Sequence, residues 1–397
     1  MDLAALARPS DVTILQVVLD GLGGMPSDGG TELESAATPN LDALAAEGVT
    51  GLLEPVGPGI TPGSGPGHLA LFGYEPTAFE LGRGALSAAG LGFRLEPGDV
   101  AARGNLATID ARGIVVDRRA GRIPDEAARE VVAALQEGIA LEGVEAFFRH
   151  ERGHRLLLVL RGDGLDPRVS DTDPQATGVA PLPPKPLEPA ATRTAAAIAE
   201  IDRRARELLA GRPDANGLLL RGFDTHRELP SFGDRTGMRP AADAVYPMYR
   251  GLASLLGFEV LGPPADLDGA IGLLREHRER FDYVFLHYKD TDAAGEDGDF
   301  DAKVAAIERF DAAVPGILEV AGAGVVAVTG DHATPSGMAA HSWHPVPLLV
   351  RGGTIGRDEV DRFGERWCRG GALGFRRTVT VLPQLMAAAG RLAKYGA

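Results

Sequence analysis

The chain has 397 residues, of which 44% are hydrophobic and 24% charged, and its formal net charge is −15 at pH 7. That length exceeds what one hydrophobic core usually organises, so two domains are expected, while the acidic balance excludes nucleic acid as a general partner, because backbone binding needs a basic face. The single cysteine, Cys368, excludes an intramolecular disulfide and a thiol-based zinc cluster.

Residues 13–19, TILQVVL, form a short apolar β-branched run that stops at Asp20-Gly21-Leu22-Gly23-Gly24, as a buried parallel strand would. The N-terminus, with Asp2 and a single early Arg8, does not resemble a secretory signal, and no run of about 18 apolar residues marks a membrane span; a soluble, cytoplasmic protein is expected. Residues 40–48 have a helical pattern. Residues 57–76, GPGITPGSGPGHLALFGYEP, are a Gly/Pro-rich loop that presents Ser64 just before a short apolar helix.

From about Gly82 to Asp224 the pattern changes to arginine, proline and short alternating strands, with a stiff Pro-rich stretch at 180–189 and an amphipathic helix at 190–209. This segment is expected to be an inserted domain. Residues 281–289, FDYVFLHYK, give another strand, followed by an acidic loop at 290–298, a helix at 302–318 and a third strand, VVAVTGDH, at 325–332. Strands alternating with helices define an α/β class with a mainly parallel sheet. The expected division is a discontinuous catalytic domain, 1–81 and 225–397, and a smaller inserted α/β cap, 82–224, with hinges near 81–84 and 224–230. Ligands of open sheets gather at the carboxyl ends of strands, so the three acidic strand ends should meet.

Asp331-His332 follows a strand, and with His341 and His344 three of the nine histidines fall within thirteen residues. Alone, these histidines fit metal ligation or the capping of strand ends equally. Asp20 and the loop carrying Asp290, Asp292, Glu296 and Asp297 end other strands of the same sheet, and oxygen donors mixed with imidazole suit divalent ions such as manganese. Ser64, at a helix N-terminus, sits where backbone N–H groups and the helix dipole favour phosphate. A hydroxyl needs deprotonation to attack, and divalent metal provides it without a histidine base.

The ordered series VVLDGLGG, ATPNLDALAAEG, TPGSGPGHLALFGYEP, VDRRAGRI, SDTDP, AVYPMYRGLA, TDAAGEDGDF and TGDHATP, spread over nearly the whole chain, resembles the archaeal-type branch of 2,3-bisphosphoglycerate-independent phosphoglycerate mutases, in the alkaline phosphatase superfamily. The resemblance implies an alkaline-phosphatase-like sandwich with an inserted cap. It also implies interconversion of 3- and 2-phosphoglycerate, in glycolysis and gluconeogenesis, without 2,3-bisphosphoglycerate and through a phosphoserine at Ser64. It places Asp20, Ser64, Asp331 and His332 around one metal, and Asp292, Glu296 and His341 around the other. Manganese is expected, with magnesium, cobalt or zinc as alternatives. Position 296 is histidine in most of the family; Glu296 hardens the site and favours manganese or magnesium over zinc. Gly65 and His68 also depart from the pattern common after the nucleophile.

Carried over in the same way, Lys289 stabilises charge on the transferring group, Asp171 and Asp173 move protons, and Arg103, Arg118, Arg119, Arg122 and Arg221 bind the substrate's phosphate and carboxylate, for which the planar guanidinium fork is suited. His68, His150, His154 and His287 are left as structural. Other phosphoester chemistry on the same machinery stays open, a phosphatase, another phosphomutase or a homoserine-kinase-like enzyme, as does a non-catalytic relative with an impaired metal site. The partner is a small phosphorylated molecule rather than a nucleic acid or a membrane.

Overall fold

The computed structural model describes residues 3–26, 29–79, 81–226 and 228–396. The chain divides into two compact units, the first comprising Met1–Glu80, Leu229–Tyr246 and Ala253–Ala397, the second Leu81–Glu228 and Pro247–Leu252. In chain order the first unit opens with β1 (Ile14–Leu19) and β2 (Val49–Glu54). The second contributes β3 (Val100–Ile109), β4 (Val115–Asp117), β5 (Glu145–Arg152), β6 (Arg155–Arg161) and β7 (Gly217–Thr225). The first resumes with β8 (Pro240–Ala244), β9 (Glu259–Leu261), β10 (Tyr283–Tyr288), β11 (Val325–Thr329), β12 (Val346–Arg351) and β13 (Gly374–Arg377).

The first unit is built on an eight-stranded sheet in the order β13-β2-β12-β11-β1-β10-β8-β9. Its centre, β11-β1-β10-β8-β9, is parallel, and β12 alone runs against its neighbours. Every residue of β1, β10 and β11 is buried, which is why these strands are continuous apolar runs rather than alternating ones. Helix Phe300–Ala321 lays Ile307, Phe310, Val314 and Ile317 into a core shared with Leu15, Val17, Val284 and Val328 of the sheet. The mainly parallel α/β architecture is the one expected. Residues 290–298, expected as a loop, instead contain helix Asp290–Glu296: Ala293 and Ala294 favour helix, and Asp290 and Asp292 suit its first turn.

The second unit carries a five-stranded antiparallel sheet, β4-β3-β6-β5 with β7 on the other side of β3. Helices Asp125–Gly138 and Thr192–Leu209 bury one face each, through Val131, Val132 and Leu135 and through Ile198, Ile201 and Ala205, against the sheet residues Phe148, Leu156, Leu158 and Leu218. Of the expected hinge segments, Arg227 lies outside the described residues. Among the described residues, no helix is long and apolar enough to cross a membrane.

Candidate active site

The order β11-β1-β10 sets three strand ends side by side, so Asp20 after β1, Lys289 and Asp292 after β10, and Asp331 and His332 after β11 converge. Two glycines, one in the turn after β1 and one inside helix Ser64–Leu71, make that possible. Gly21 adopts φ +62°, and a Cβ there would collide with the side chains of Thr334 and Asp292; a Cβ at Gly67 would collide with the Asp331 carbonyl. Only glycine allows these approaches. The second brings helix Ser64–Leu71 down onto Asp331, with Ser64 as its first residue and Gly63 as N-cap.

Two groups result, Asp20 with Asp331 and His332, and Asp292 with His332 and His341, the donor atoms within each group lying within 4.8 Å of one another. All but His341 are buried. His332 Nε2 lies 3.2 Å from Asp20 Oδ1, 3.3 Å from Asp331 Oδ2 and 4.0 Å from Asp292 Oδ1, and 3.4 Å from Ser64 Oγ. The His332 and His341 rings stack with centroids 3.7 Å apart. Glu296 stands at the margin: half exposed, with Oε1 3.7 Å from His341 Nε2, it belongs to neither group. His344 donates or accepts at Ser342 Oγ, 3.0 Å away.

Hydrogen bonds fix which imidazole nitrogen faces the carboxylates. His341 Nδ1 lies 2.9 Å from the Pro62 carbonyl oxygen, which only accepts, so Nδ1 carries the hydrogen and Nε2 turns toward Asp292, 3.6 Å away. The Thr334 hydroxyl donates to Asp292 Oδ1 at 2.7 Å and so accepts from His332 Nδ1 at 3.0 Å. Both rings therefore present Nε2 to carboxylate oxygens with the other nitrogen anchored, the orientation in which imidazole ligands are held. Three buried carboxylates and two such imidazoles fit divalent cations such as manganese by donor chemistry.

The electrostatics agree with an acidic, cation-seeking centre. Burial works against charge on Asp20, yet Lys289 and hydrogen bonds from His287 and His332 hold its carboxyl well below the usual range. His332 is likewise opposed by burial but is raised to about 9 by Asp331, Asp20 and Asp292. Lys289 Nζ bridges Asp20 Oδ2 at 2.9 Å and Asp292 Oδ2 at 2.5 Å.

The second unit holds a separate cationic cluster. Arg103 on β3 and Arg221 on β7 are cross-strand partners. Arg118 grips Asp173 with Nε at 2.9 Å and Nη2 at 2.6 Å, and Arg221 Nε lies 3.9 Å from the same carboxylate. Arg103 reaches Glu151 at 3.3 Å. Burial and then the charges of Arg83 and Arg103 press Arg221 down to about 10, which still leaves it charged at neutral pH. His154 is lowered to about 4 by burial and by Arg155, Arg119 and Arg103. Arg119 and Arg122 are exposed. Asp171 is engaged by the Gly222 N–H at 2.8 Å. Arg83, which opens helix Arg83–Gly90, joins this cluster without having been singled out in the sequence; nothing in its neighbourhood marks it before the fold does.

Fold and site together define a class, α/β proteins that set a serine hydroxyl beside a carboxylate and imidazole donor set at the carboxyl edge of a parallel sheet. A family profile described as 2,3-bisphosphoglycerate-independent phosphoglycerate mutase matches residues 45–214. A protein of Thermus thermophilus named as a probable 2,3-bisphosphoglycerate-independent phosphoglycerate mutase is 51% identical over 401 residues, which cover 100% of this chain and 98% of that one. One of the same name from Deinococcus radiodurans is 48% identical, over 99% and 98%. Among solved structures, a Pyrococcus horikoshii protein superposes with a TM-score of 0.83 at 30% identity, covering 98% of this chain and all of that one. The cofactor-independent phosphoglycerate mutase of Thermoplasma acidophilum gives 0.68 at 30% identity, over 96% and 100%. The chain belongs to the family of 2,3-bisphosphoglycerate-independent phosphoglycerate mutases, which are isomerases.

Proposed function

We propose that this chain interconverts 3-phosphoglycerate and 2-phosphoglycerate in glycolysis and gluconeogenesis, in the cytoplasm, with Ser64 as the carrier of the phosphoryl group. The observation that carries the reading is the placement of Ser64 Oγ 3.4 Å from His332 Nε2, the nitrogen common to both donor groups; the names of the relatives support the substrate.

Asp20, Asp331 and His332, with Ser64, would hold one divalent ion, and Asp292, His341 and, from the margin, Glu296 another; manganese suits the set best, with magnesium, cobalt and zinc as alternatives. Bound there, the ions lower the pKa of a hydroxyl and neutralise charge on a transferring phosphoryl group. Ser64 Oγ attacks phosphorus, the bond from phosphorus to the substrate's 3-oxygen breaks, and the serine proton passes to that oxygen. The 2-hydroxyl of the retained glycerate then attacks the phosphoserine, and its proton returns to Ser64. Because Ser64 holds the group between the two half-reactions, no 2,3-bisphosphoglycerate is needed. Lys289, beside Asp20 and Asp292, adds positive charge.

The second unit is proposed as the substrate-binding cap. Its arginines outnumber the acids among them, and Arg103, Arg118 and Arg221, with Arg119 and Arg122 nearer solvent, would bind phosphate and carboxylate. Asp173, whose pKa burial pushes up but Arg118 lowers further, is better placed to orient Arg118 and Arg221 than to release a proton near neutral pH, which leaves Asp171 as the proton carrier. The test is interconversion of the two phosphoglycerates by manganese-loaded protein with no 2,3-bisphosphoglycerate present. Turnover is expected, and hydrolysis to free phosphate instead would make the protein a phosphatase.

A further inference from the structure

Two buried histidines outside both donor groups stand directly behind them. His68, four residues along the helix from Ser64, has Nδ1 at 2.8 Å from the Ser64 carbonyl oxygen and at 3.1 Å from Asp331 Oδ2. A carbonyl only accepts, so Nδ1 carries the hydrogen and shares it between the two oxygens. His287, on β10, has Nε2 at 3.1 Å from Asp20 Oδ2, and since a carboxylate also accepts, this nitrogen is the donor. The two rings lie 5.3 Å apart, and Phe285 packs on both, edge-on to His68 at 5.5 Å and tilted to His287 at 5.9 Å. That packing holds each ring so that one N–H meets one carboxylate at a fixed point.

We propose that His68 and His287 are positioning residues that set the orientation of the Asp331 and Asp20 carboxylates for metal binding, His68 also tying the turn that bears Ser64 to Asp331. The inference rests on the two-ion reading above. A carboxylate rotates within a broad, shallow torsional well, so a ligand oxygen stays aimed only if its partner oxygen is held, and outer hydrogen bonds of this kind govern metal affinity. Core filling alone would require the ring volume but no N–H at a particular place.

The two positions use different nitrogens, which makes the inference testable. An asparagine amide nitrogen falls near the place of Nδ1, and a glutamine amide nitrogen near that of Nε2. His68→Asn and His287→Gln therefore keep the donor in place, whereas His68→Gln and His287→Asn misplace it. Manganese binding to the chelator-stripped full chain would be titrated by calorimetry, with paramagnetic resonance of the bound ion as a second readout and the melting temperature of the stripped protein as a control. The parent, His68→Asn and His287→Gln are expected to bind two ions per chain with similar affinity. His68→Gln and His287→Asn are expected to weaken one ion by about 10–100-fold, with melting temperatures matched inside each Asn/Gln pair. Equal binding by Asn and Gln at both positions, beside a parent that binds two ions, overturns the positioning role and leaves the two-ion reading standing. A parent that binds no manganese overturns both. If neither position-68 variant folds, the position-287 pair decides by the same criterion.

Discussion

His332 is the residue on which the two donor groups turn. Its Nδ1 is committed to Thr334, and its Nε2 faces Asp20, Asp331, Asp292 and Ser64 at once. Glu296 has no comparable hold, since its carboxylate is half exposed and touches only the rim at His341. Glu296→Ala is therefore expected to weaken manganese binding less than Asp292→Ala does, and Glu296→His to raise zinc affinity relative to manganese, because imidazole is the softer donor; competitive metal titration checks both. That the acidic ends of three strands would meet was legible in the sequence, because an acid that abruptly ends a β-branched apolar run marks a strand's carboxyl end, and such ends share one sheet edge. The division of Asp20, Asp292, Glu296, Asp331, His332 and His341 into two ligand sets came from the family resemblance. The places of His68 and His287 were not legible. One falls on an apolar helix face and the other inside a buried strand, where a histidine looks like core, and their carboxylate partners are distant in sequence.

At the scale of elements, the loops bearing the site are held by a buried cation. Lys303, on helix Phe300–Ala321 and wholly inaccessible, donates from Nζ to the carbonyls of Gly21 at 2.9 Å, Gly23 at 3.1 Å and Thr334 at 2.8 Å, and Glu32 Oε2 lies 3.9 Å away. This ammonium ties the turn after β1 to the turn after β11. Lys303→Met keeps the stem's volume but takes the ammonium donor from the Thr334 carbonyl, leaves the Gly21 and Gly23 carbonyls only the Thr334 N–H, and removes the positive charge beside Glu32, so a loss of about 3 kcal/mol is expected, read by denaturant unfolding. Sequence alone shows Lys303 as an ordinary helical lysine, since its partners are backbone atoms of two distant loops.

The turn between β5 and β6 offers a pH-dependent counterpart in the second unit. His154 titrates near 4 when folded and near 6.5 in an unfolded chain. Between those values the unfolded chain binds the proton more strongly. His154 therefore costs nothing above about pH 6.5 and destabilises progressively as pH falls toward about 4. With partial exposure discounted, the loss is about 1–2 kcal/mol. Parent and His154→Gln compared by thermal unfolding at neutral pH and at about pH 4.5 should show the variant losing less stability on acidification. Equal losses would mean that the arginine field around His154 is weaker than the structure indicates.

For the whole molecule, a net charge of −15 opposes the anionic substrate proposed above, and the arginine cluster of the second unit is a local concentration of positive charge that answers it. The acidic donor groups of the first unit would add positive charge only through the cations proposed to bind there. The α/β class and the mainly parallel sheet were readable from strands alternating with helices, and the family from motifs spread along the chain. The antiparallel reversal at β12 was not, because it is decided by pairing between strands distant in sequence rather than by local pattern. The helix at Asp290–Glu296 was not readable either, although Ala293 and Ala294 favour helix, because a short acidic segment after a strand reads as a loop. The central claim is that Ser64 carries the phosphoryl group between the two oxygens of glycerate. It is tested most directly by following conversion of 3-phosphoglycerate to 2-phosphoglycerate by the manganese-loaded protein and its Ser64→Ala variant, without 2,3-bisphosphoglycerate. The expected result is turnover by the parent and none by the variant, with both binding manganese. Conversion by the variant at the parent's rate, or a parent active only when 2,3-bisphosphoglycerate is added, would contradict it.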